Sequence, residues 1–335
     1  MNKKVLLVGG CGFIGHNLAL KLTEDNFKVN IVDSLGVNNL YSINNEDVKN
    51  KELYGSILKN RIDLINENQI NFTIQDARDY HAISRLYDKI NPDIIIHLAA
   101  VSHANKSNKD PHSTFDHSLR TLENTLDFAK NKKTHVIYIS SSMVYGDFNN
   151  KEVDENTVCS PIGIYGNLKY AGELIVKSYN QVFGLPYTII RPSALYGERC
   201  VSRRVGQIFI ENAIQGMDIT INGDGNEKLD FTYIEDLIEG ISLCCKKKEA
   251  INEIFNITYG NSRKINELTE VLKKEFENVK ISFSKKEKFM PERGTLNNKK
   301  AKDLLGFSPR FPIEDGYIKY ISWYKNFWEN LRNAK

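Results

Sequence analysis

The sequence lacks the patterns that mark several kinds of protein. Its five cysteines show no metal-ligand spacing, and free thiols in a reducing cytoplasm are the simplest interpretation. No apolar run reaches the ~20 residues that a membrane-spanning helix needs. The chain enters its first strand without a signal peptide, and no internal repeat or low-complexity segment stands out. These absences predict a cytoplasmic protein without a metal site or a membrane partner.

An excess of charge of one sign is also lacking. The formal net charge is +3, and the basic residues are scattered apart from short runs such as 246–248. A nucleic-acid surface would need a basic patch or stripe, so no nucleic-acid partner is expected. At 335 residues the chain can bury a large core and is expected to form one or two domains.

The first half of the chain alternates apolar strands with helical stretches. Strands are predicted at 4–9, 28–33, 71–76, 92–100, 135–142 and 186–192. Continuous Val and Ile runs separated by helices are typical of parallel strands that are covered on both faces. The expected fold is therefore α/β, a Rossmann-like doubly wound parallel sheet.

The second half changes character and predicts a smaller C-terminal α/β lobe. Residues 1–192 are assigned to the sheet domain, to which residues 229–250 return as a helix. Residues 193–228 and 251–335 are assigned to a discontinuous lobe over the carboxyl ends of the strands. Residues 34–70 are longer than a crossover needs and are predicted as a loop followed by a helix. The aromatic C-terminal segment is interpreted as a core-packing helix because its aromatic residues recur four apart.

The stretch GGCGFIG joins the first strand to the first helix and has three interpretations: a phosphate-binding loop, a reactive thiol site or a tight turn. Glycines 9, 12 and 15 would let the backbone approach a pyrophosphate at a helix N-terminus, where free N–H groups point outward. Asp33 ends the second strand about twenty residues further on, where a carboxylate accepts both ribose hydroxyls. Since no arginine follows Asp33 closely, NAD is favoured over NADP. Together with Asp76 and the motif YGNLK further along, this acid favours the phosphate-binding loop over the thiol site. The nearby helix N-terminus is the one remaining reason to expect a lowered thiol pKa at Cys11.

Tyr165 and Lys169 lie four residues apart, so they are expected on one face of a helix. A nearby ammonium lowers the pKa of a phenol, which then exchanges a proton with an alcohol near neutral pH. The pair follows a strand that ends in Ser140, Ser141 and Ser142, and a serine hydroxyl there can share the substrate proton. These side chains suit alcohol–ketone interconversion beside a nicotinamide, whereas a surface Tyr–Lys pair is the alternative interpretation.

Taken in order, these motifs resemble the extended short-chain dehydrogenase/reductases, and specifically their nucleotide-sugar epimerases and dehydratases. The shared segments are GGCGFIG, Asp33, QDARD around Asp76, HLAA at 97–100, SSSMVYG at 140–146, YGNLK at 165–169 and GDG at 223–225. The resemblance covers nearly the whole chain. It implies an NAD-binding Rossmann domain, a lobe that binds a nucleotide-diphosphate sugar, and a homodimer formed through helices 112–130 and 166–183.

The resemblance also implies roles for individual residues. Ser141, Tyr165 and Lys169 match the catalytic serine and the acid/base pair, with Lys169 lowering the pKa of Tyr165. Arg293 resembles the family's late phosphate arginine with a one-residue shift. The expected cofactor contacts are Gly9, Gly12, Phe13, Ile14, Gly15, Asp33, Asp76, Ala77, Leu98, Ala99, Ala100, Ser140, Tyr165, Lys169 and Pro192. The expected substrate contacts are Ser102, His103, Ser142, Met143, Ala194, Arg199, Arg204, Lys228 and Arg293.

The expected reaction follows from the residue two before Tyr145. By resemblance, dehydratases and decarboxylases carry an acidic residue at this place, whereas this chain has Met143. A thioether is neither an acid nor a base, so Tyr165 is the one proton carrier. The expected activity is that of an NAD-dependent 4-epimerase, which oxidises C4 transiently and reduces it again. The alternatives are a net C4 oxidase, ketoreductase or dehydratase on a nucleotide sugar, or a non-catalytic NAD-binding regulatory protein.

Three positions depart from the family pattern at or near the contacts with the substrate diphosphate. Ala194 replaces the usual asparagine after Arg191, Leu229 replaces the usual arginine, and Ser118 replaces the usual asparagine on the helix after HLAA. Compensation is expected from Arg199, Arg203 and Arg204, interpreted as a clamp because a guanidinium fork matches phosphate oxygens. A solvated basic loop is the alternative interpretation of this segment.

Overall fold

The computed structural model describes residues 2–45, 49–101, 104–132, 134–285 and 291–333. Within these ranges the strands are β1 (Lys4–Val8), β2 (Lys28–Asp33), β3 (Asn71–Ile74), β4 (Ile94–His97), β5 (His135–Ile139), β6 (Tyr187–Arg191), β7 (Leu195–Tyr196), β8 (Ile219–Asn222), β9 (Lys228–Leu229), β10 (Thr232–Tyr233), β11 (Glu253–Asn256), β12 (Arg263–Lys264) and β13 (Ile281–Ser284). The α-helices are α1 (Phe13–Glu24), α2 (Leu40–Asn45), α3 (Lys51–Glu67), α4 (Tyr80–Ile90), α5 (Ala104–Lys109), α6 (Pro111–Phe115), α7 (Thr121–Lys132), α8 (Gly163–Phe183), α9 (Val205–Ile214), α10 (Ile234–Lys246), α11 (Ile265–Glu275), α12 (Lys299–Leu305) and α13 (Ile313–Asn333).

Seven of these strands form one parallel sheet in the order β3-β2-β1-β4-β5-β6-β11. Val5 of β1 lies opposite Val29 of β2 on one side and Ile94 of β4 on the other. The order of the strands reverses between β1 and β4, and in such sheets ligands bind in the crevice at the carboxyl ends of the strands on either side of the reversal. The Rossmann-like, doubly wound sheet predicted from the apolar runs is confirmed.

Both faces of the sheet are covered at its centre, where the side chains of a strand such as β1 alternate between two cores. Val5 and Leu7 of β1 pack in one core, together with Leu18 of α1. Leu6 of β1 packs in the other core, together with Leu122 of α7. A strand that is buried on both faces needs an unbroken apolar run rather than an alternating one, which explains why the sequence predicted these strands.

The seventh strand corrects one predicted boundary. Residues 253–256 were assigned to the lobe, but β11 pairs in parallel with β6 at the edge of the central sheet. The strand has only four residues, EIFN, and its polar ends hide the apolar pattern that identifies longer strands. The remaining division into a sheet domain and a lobe stays a prediction.

Three two-stranded sheets lie outside the central sheet: β7 with β10, β9 with β12, and β8 with β13. The C-terminal helix α13 packs its aromatic face into the core, with Tyr317, Tyr320 and Tyr324 fully buried, so its core-packing interpretation is confirmed. Helix α3 reaches across to α9, where the Tyr54 hydroxyl donates to Oε2 of Glu211 at 2.6 Å. No helix in the described ranges has the length and apolar character required to cross a membrane.

Candidate active site

The glycine turn after β1 is packed too tightly for any larger residue. Gly9 has a φ of +82°, and a Cβ there would lie 2.8 Å from the backbone nitrogen of Ala99 after β4. A Cβ on Gly15 would lie 2.5 Å from the Cα of Gly10, so the first turn of α1 rests directly on the turn that precedes it. These contacts hold the N-terminus of α1 at the switch point of the sheet.

A cavity of about 160 Å³ opens at this turn. Its walls include the predicted cofactor contacts Gly9, Gly12, Phe13, Ile14, Gly15, Asp33, Asp76, Ala77, Leu98, Ala99 and Ala100. The N-cap of α1 is Gly12, and no side chain caps the helix. The first turn of the helix thus presents uncapped backbone N–H groups, which suit an anion such as a pyrophosphate. The structure therefore brings these residues together, and their individual contacts with a cofactor stay predictions.

Asp33 is held in place at the end of β2. Its Oδ2 accepts the backbone N–H of Cys11 at 2.9 Å, and its Oδ1 accepts that of Leu35 at 2.7 Å. Burial raises the pKa of Asp33, while these hydrogen bonds and the charge of Arg61 oppose the rise. Each carboxylate oxygen retains a lone pair for a further donor, so the orientation fits a ribose diol.

The Cys11 thiol is not activated, which corrects the expectation from its position. Cys11 is fully buried by the protein, and this burial, with a smaller contribution from the charge of Asp33, raises the pKa of the thiol. The charge of Arg61 opposes these two effects and does not outweigh them. The raised pKa agrees with the preference for a phosphate-binding loop over a reactive thiol site.

Two arginines were not found from the sequence: Arg61, which lines this cavity, and Arg78, which holds the cavity residue Asp76. Arg61 of α3 is buried and lines the cavity, and its Nε donates to the backbone carbonyl of Arg199 at 3.1 Å. Arg78 holds the carboxylate of Asp76 through its Nη2 at 2.7 Å. Burial opposes the ionisation of Asp76, but the hydrogen bonds and charge of Arg78 outweigh it and lower the pKa. Arg61 lies among the buried apolar residues of α3. A charged residue at such a position is the sequence feature from which a functional role could have been predicted.

A second, larger cleft of about 770 Å³ lies at the carboxyl ends of β5 and β6. Its walls include the predicted site residues Ser140, Ser141, Ser142, Met143, Tyr165, Lys169, Pro192, Ala194, Arg204, Lys228 and Arg293. Ile14, Leu98 and Ala100 line this cleft as well as the first cavity. The two sites are therefore adjacent, as a dinucleotide that reaches a second substrate requires.

Tyr165 of α8 lies beside Ser141, which follows β5. The Ser141 Oγ accepts the backbone N–H of Met143 at 3.2 Å and is hydrogen-bonded to the Tyr165 side chain. Burial raises the pKa of Tyr165. The charge of Arg204, the hydrogen bond with Ser141 and the charge of Arg293 all act in the opposite direction. The predicted proximity of the serine and the tyrosine is therefore present.

Lys169 of α8 is buried beside the end of β5. Its Nζ donates to the backbone carbonyl of Ile139 at 2.7 Å and lies over the ring of Tyr138. Burial lowers the pKa of Lys169 to about 8, against the opposing charge of Glu173. The charges of Arg204 and Arg293 act to lower the pKa of Tyr165, and the expected influence of Lys169 on it stays a prediction. Its predicted contact with the cofactor stays a prediction.

A buried ion pair behind the site was missed from the sequence. Arg191, the last residue of β6, donates Nε and Nη2 to the two oxygens of Glu173 on α8, at 2.9 and 2.7 Å. Ser140 donates to the same carboxylate at 2.6 Å, and the Nη1 of Arg191 donates to the Tyr145 hydroxyl at 2.9 Å. Glu173 follows Lys169 by one helical turn and therefore lies on the same face of α8. This spacing is the sequence feature from which its place near the site could have been predicted.

The predicted arginine clamp is only partly assembled. Arg199 has a φ of +64°, and its Nε donates to Oδ1 of Asn60 on α3 at 2.9 Å. Its guanidinium also lies over the Trp323 ring of α13, so it packs between two helices and is not among the residues that line the cleft. Arg203 and Arg204 do line the cleft. The three-arginine clamp is therefore corrected to a pair.

Of the other predicted substrate contacts, two line the cleft and two lie outside the described residues. Lys228 is exposed at the rim of the cleft on β9, and Ala194 lines the cleft with a φ of +35°. Ser102 and His103 lie outside the described residues. In the part of the chain that the structure describes, no group of three or more His, Cys, Asp or Glu side chains is arranged to hold a metal ion.

Arg293 contacts Met143, the residue whose identity predicts the reaction. Its Nη1 lies 3.2 Å from the Sδ of Met143, and its buried Nε has no hydrogen-bond partner within the described ranges. Burial, together with the charge of Arg204, lowers the pKa of Arg293 to about 10. A guanidinium thus lies close to the Ser141–Tyr165 pair. Arg293 and Met143, which are in contact, are 150 residues apart in the sequence.

Comparison with known proteins agrees with this geometry. The model of the NAD dependent epimerase/dehydratase family matches residues 5–258. A putative UDP-glucose 4-epimerase of Methanocaldococcus jannaschii is 31% identical over 96% of this chain and 98% of its own. Two crystal structures superpose closely: a Bacillus cereus UDP-glucuronic acid 4-epimerase in complex with UDP-glucuronic acid and NAD (26% identity, TM-score 0.85, 96% of this chain and 99% of the other), and a Thermotoga maritima UDP-glucose 4-epimerase with UDP-glucose (25% identity, TM-score 0.84, 97% and 99%).

The chain belongs to the NAD dependent epimerase/dehydratase family, an extended short-chain dehydrogenase/reductase family. Its cofactor is NAD, and the uncapped N-terminus of α1 and the oriented Asp33 carboxylate fit that dinucleotide.

Proposed function

We propose that the protein is a nucleotide-sugar 4-epimerase that oxidises the C4 hydroxyl and then reduces the 4-ketone from its other face. The observation that carries this proposal is the composition of the cleft around Tyr165. The tyrosine is hydrogen-bonded to Ser141, and the neighbouring side chain is the non-titrating thioether of Met143. A site with one proton carrier supports a reversible alcohol–ketone exchange and no further proton transfer.

Tyr165 is assigned as the acid/base. Its phenolate takes the proton of the C4 hydroxyl during oxidation and returns a proton during reduction. The positive charges of Arg204 and Arg293 favour the phenolate, and the hydroxyl of Ser141 shares the proton through its hydrogen bond with the phenol. NAD, when bound, supplies the hydride acceptor and donor and is restored after each turnover.

The rest of the cleft is assigned to the nucleotide and the diphosphate. Arg203 and Arg204 follow the loop after β7, and Lys228 stands at the rim, so three cations line the part of the cleft that the lobe covers. They take the place of the asparagine and arginine that Ala194 and Leu229 replace. Guanidinium groups donate to two phosphate oxygens at once, which suits a diphosphate.

The dehydratase alternative needs a second acid or base next to Ser141, and Met143 occupies that place. The carboxylates that line the cleft are Asp224, Glu227 and Glu292. Glu292 is exposed, and Asp224 and Glu227 come from the loop between β8 and β9 rather than from the end of β5. This arrangement favours epimerisation over elimination.

A homodimer through α7 and α8 is also proposed. Five large apolar side chains of α8 and of α6, the short helix before α7, are exposed: Phe115, Ile164, Leu174, Val182 and Phe183. Such residues are normally covered when they cluster on one face. Sedimentation at micromolar concentration is expected to show a dimer, and a monomer would contradict the proposal.

The experiment that tests the proposed function is incubation with UDP-, GDP- and dTDP-sugars, followed by mass spectrometry and NMR of the products. A C4 epimer of unchanged mass, with no net formation of NADH, is expected. A product that has lost two hydrogens, with stoichiometric NADH, would identify a net oxidase. A product lighter by one water would identify a dehydratase.

A further inference from the structure

Helix α8 lies very close to the end of β5. The hydroxyl of Tyr138 donates to the backbone carbonyl of Lys169 at 3.4 Å, and the Nζ of Lys169 donates to the backbone carbonyl of Ile139 at 2.7 Å. A Cβ on Gly172 would lie 2.3 Å from the hydroxyl oxygen of Tyr138, so glycine allows this close approach. These contacts fix the helix against residues 138 and 139 of the strand.

Glu173 extends the contact to the residue next to Ser141. Ser140 donates its hydroxyl proton to Oε1 of Glu173 at 2.6 Å. A hydroxyl has one proton, so Ser140 cannot donate to a ligand while it makes this bond. Ser141 follows directly and is hydrogen-bonded to Tyr165, which lies about two turns before Glu173 on the same helix. The Ser140–Glu173 bond therefore ties the serine of the Ser141–Tyr165 pair to the helix that carries the tyrosine.

The ion pair with Arg191 holds the Glu173 carboxylate in one orientation. Arg191 donates to both of its oxygens, at 2.9 and 2.7 Å, and the two side chains are 2% and 0% exposed. A pair buried this deeply stabilises a protein no more than apolar side chains of the same volume do, because both charges lose their hydration. Apolar side chains at these positions would fill the space, but they could not accept the proton of Ser140. The structure thus indicates a role for the pair in position rather than in stability.

We infer that Glu173 is a positioning residue of the reaction: it fixes the end of β5 so that Ser141 lies against Tyr165, and it places a negative charge beside Lys169. The inference rests on the proposed role of Tyr165 as the acid/base, and it adds the part of the fold that holds the partners of that tyrosine.

The charge of Glu173 favours the protonated form of Lys169. Burial lowers the pKa of Lys169 to about 8, and the charge of Glu173 opposes this effect. The other titratable groups around the lysine, among the described side chains, are the reacting phenol Tyr165 on α8, Tyr138 on β5 and His97 on β4. Burial raises the pKa of Tyr138 and lowers that of His97 to about 3, so these two are uncharged at neutral pH.

The first test is Glu173→Gln, which keeps the size of the side chain and removes its charge. The kcat should fall on the order of 10²-fold, as displacement of a reacting group implies. The KM should stay unchanged, because Glu173 is not among the residues that line the cleft. Activity that needs charged Lys169 is lost as the pH rises through its pKa. Since loss of the carboxylate lowers that pKa, the descending limb of kcat should move to lower pH.

The matched control is Glu155→Gln. Glu155 accepts the backbone N–H of Asn256 at 2.7 Å, away from the contact between α8 and β5, so this variant should change neither kcat nor the descending limb. An unchanged kcat and an unmoved limb in Glu173→Gln would overturn the inference.

The double variant Arg191→Leu with Glu173→Leu separates position from stability. It removes both buried charges, so it should be more stable than Arg191→Leu alone. Its kcat should remain low, because leucine cannot accept the proton of Ser140. Recovery of kcat together with stability would show that the pair only supports the fold, and the inference would be wrong.

Ser140→Ala tests the connecting bond and leaves the ion pair in place. The kcat should fall on the order of 10-fold, as loss of a hydrogen bond to a charged group implies, while the affinity for NADH, measured by fluorescence titration, stays the same. A loss confined to the affinity for NADH would assign the Ser140 hydroxyl to the cofactor and overturn the inference.

Failure of the proposed function gives a different result. The activity is measured with the UDP-, GDP- and dTDP-sugars, and a product other than a C4 epimer would refute the 4-epimerase assignment while its kcat still tests Glu173. If no sugar is converted, the proposed function fails, and NMR titration of ¹³C-labelled lysine, with the Lys169 signal assigned through Lys169→Met, tests the inference directly. A lower pKa of Lys169 in Glu173→Gln supports it, and an unchanged pKa overturns it.

Discussion

The thioether sulphur of Met143 lies 3.2 Å from the Nη1 of Arg293, at the bottom of the cleft that holds Tyr165. In the sequence, Met143 is informative only because it stands where dehydratases carry an acidic residue. The structure gives it a second consequence, because an uncharged neighbour leaves the guanidinium available to an anion from outside the protein.

The first prediction concerns Met143→Glu. The new carboxylate should form an ion pair with Arg293 and repel the anionic diphosphate, so the affinity for a nucleotide sugar should fall on the order of 10²-fold. Calorimetry with UDP-glucose measures the affinity. Met143→Leu is the matched control, since it keeps the volume and adds no charge. Equal losses in the two variants would show that the shape of this side chain matters, and its charge does not.

The second prediction concerns Tyr165→Phe. Removing the hydroxyl removes the acid/base, so turnover should fall by about 10²–10⁴-fold while NAD and the nucleotide sugar still bind. Single-turnover assays measure the loss, and fluorescence of bound NADH together with calorimetry measures retention of the ligands. Full activity in this variant would refute the assignment of Tyr165 and would revive the non-catalytic alternative.

The third prediction uses the pH profile. Arg204 contributes the largest of the effects that lower the pKa of Tyr165, so Arg204→Gln should raise that pKa. Activity that needs the phenolate rises as the pH passes through this pKa, and the ascending limb of kcat should therefore move to higher pH in the variant. Arg203→Gln, at the neighbouring position in the same cleft, is the control and should leave the limb in place. An unmoved limb in Arg204→Gln would show that its charge does not reach the phenol.

The fourth prediction concerns the buried ion pair. Arg191→Leu leaves the Glu173 carboxylate buried without its partner, so the free energy of unfolding should fall by about 3–5 kcal/mol. Urea denaturation measures the change. The double variant Arg191→Leu with Glu173→Leu removes both charges and should recover part of the loss. A double variant less stable than Arg191→Leu would indicate that packing, rather than the unpaired charge, dominates.

The fifth prediction separates steric clash from backbone strain when a methyl group is added to a glycine that has a positive φ. Gly9→Ala combines a positive φ with a contact of 2.8 Å to the backbone of Ala99, so it should abolish NAD binding. Gly184→Ala has a similar φ of +67° but nothing within 4 Å, and should cost only the backbone strain, about 1–3 kcal/mol. Thermal unfolding and NADH titration of the two variants test this. Intact NAD binding in Gly9→Ala would mean that the turn tolerates a Cβ.

Six strands of the central sheet could be predicted, five of them because they carry the largely apolar runs that two-sided burial requires and β3, a mostly exposed edge strand, because its β-formers alternate with polar residues. The strand β11 could not, since its four residues have polar ends and its pairing with β6 depends on tertiary contacts. The direction of Arg199 was likewise hidden, because its positive φ and its bond to Asn60 turn it away from its neighbours in sequence. The proximity of Arg293 to Met143 depends on how the end of the chain folds over the sheet. Glu173 was within reach of sequence reasoning, because it shares a helix face with Lys169.

Helix α3 has a consequence beyond filling the long connection between β2 and β3. Its Arg61 lines the cofactor cavity and also fixes the backbone carbonyl of Arg199, four and five residues before the cleft arginines Arg203 and Arg204. Arg61 therefore links the cofactor cavity to the segment that leads into the cleft, and a ligand that displaces this guanidinium would release the backbone before the two arginines proposed to bind the diphosphate.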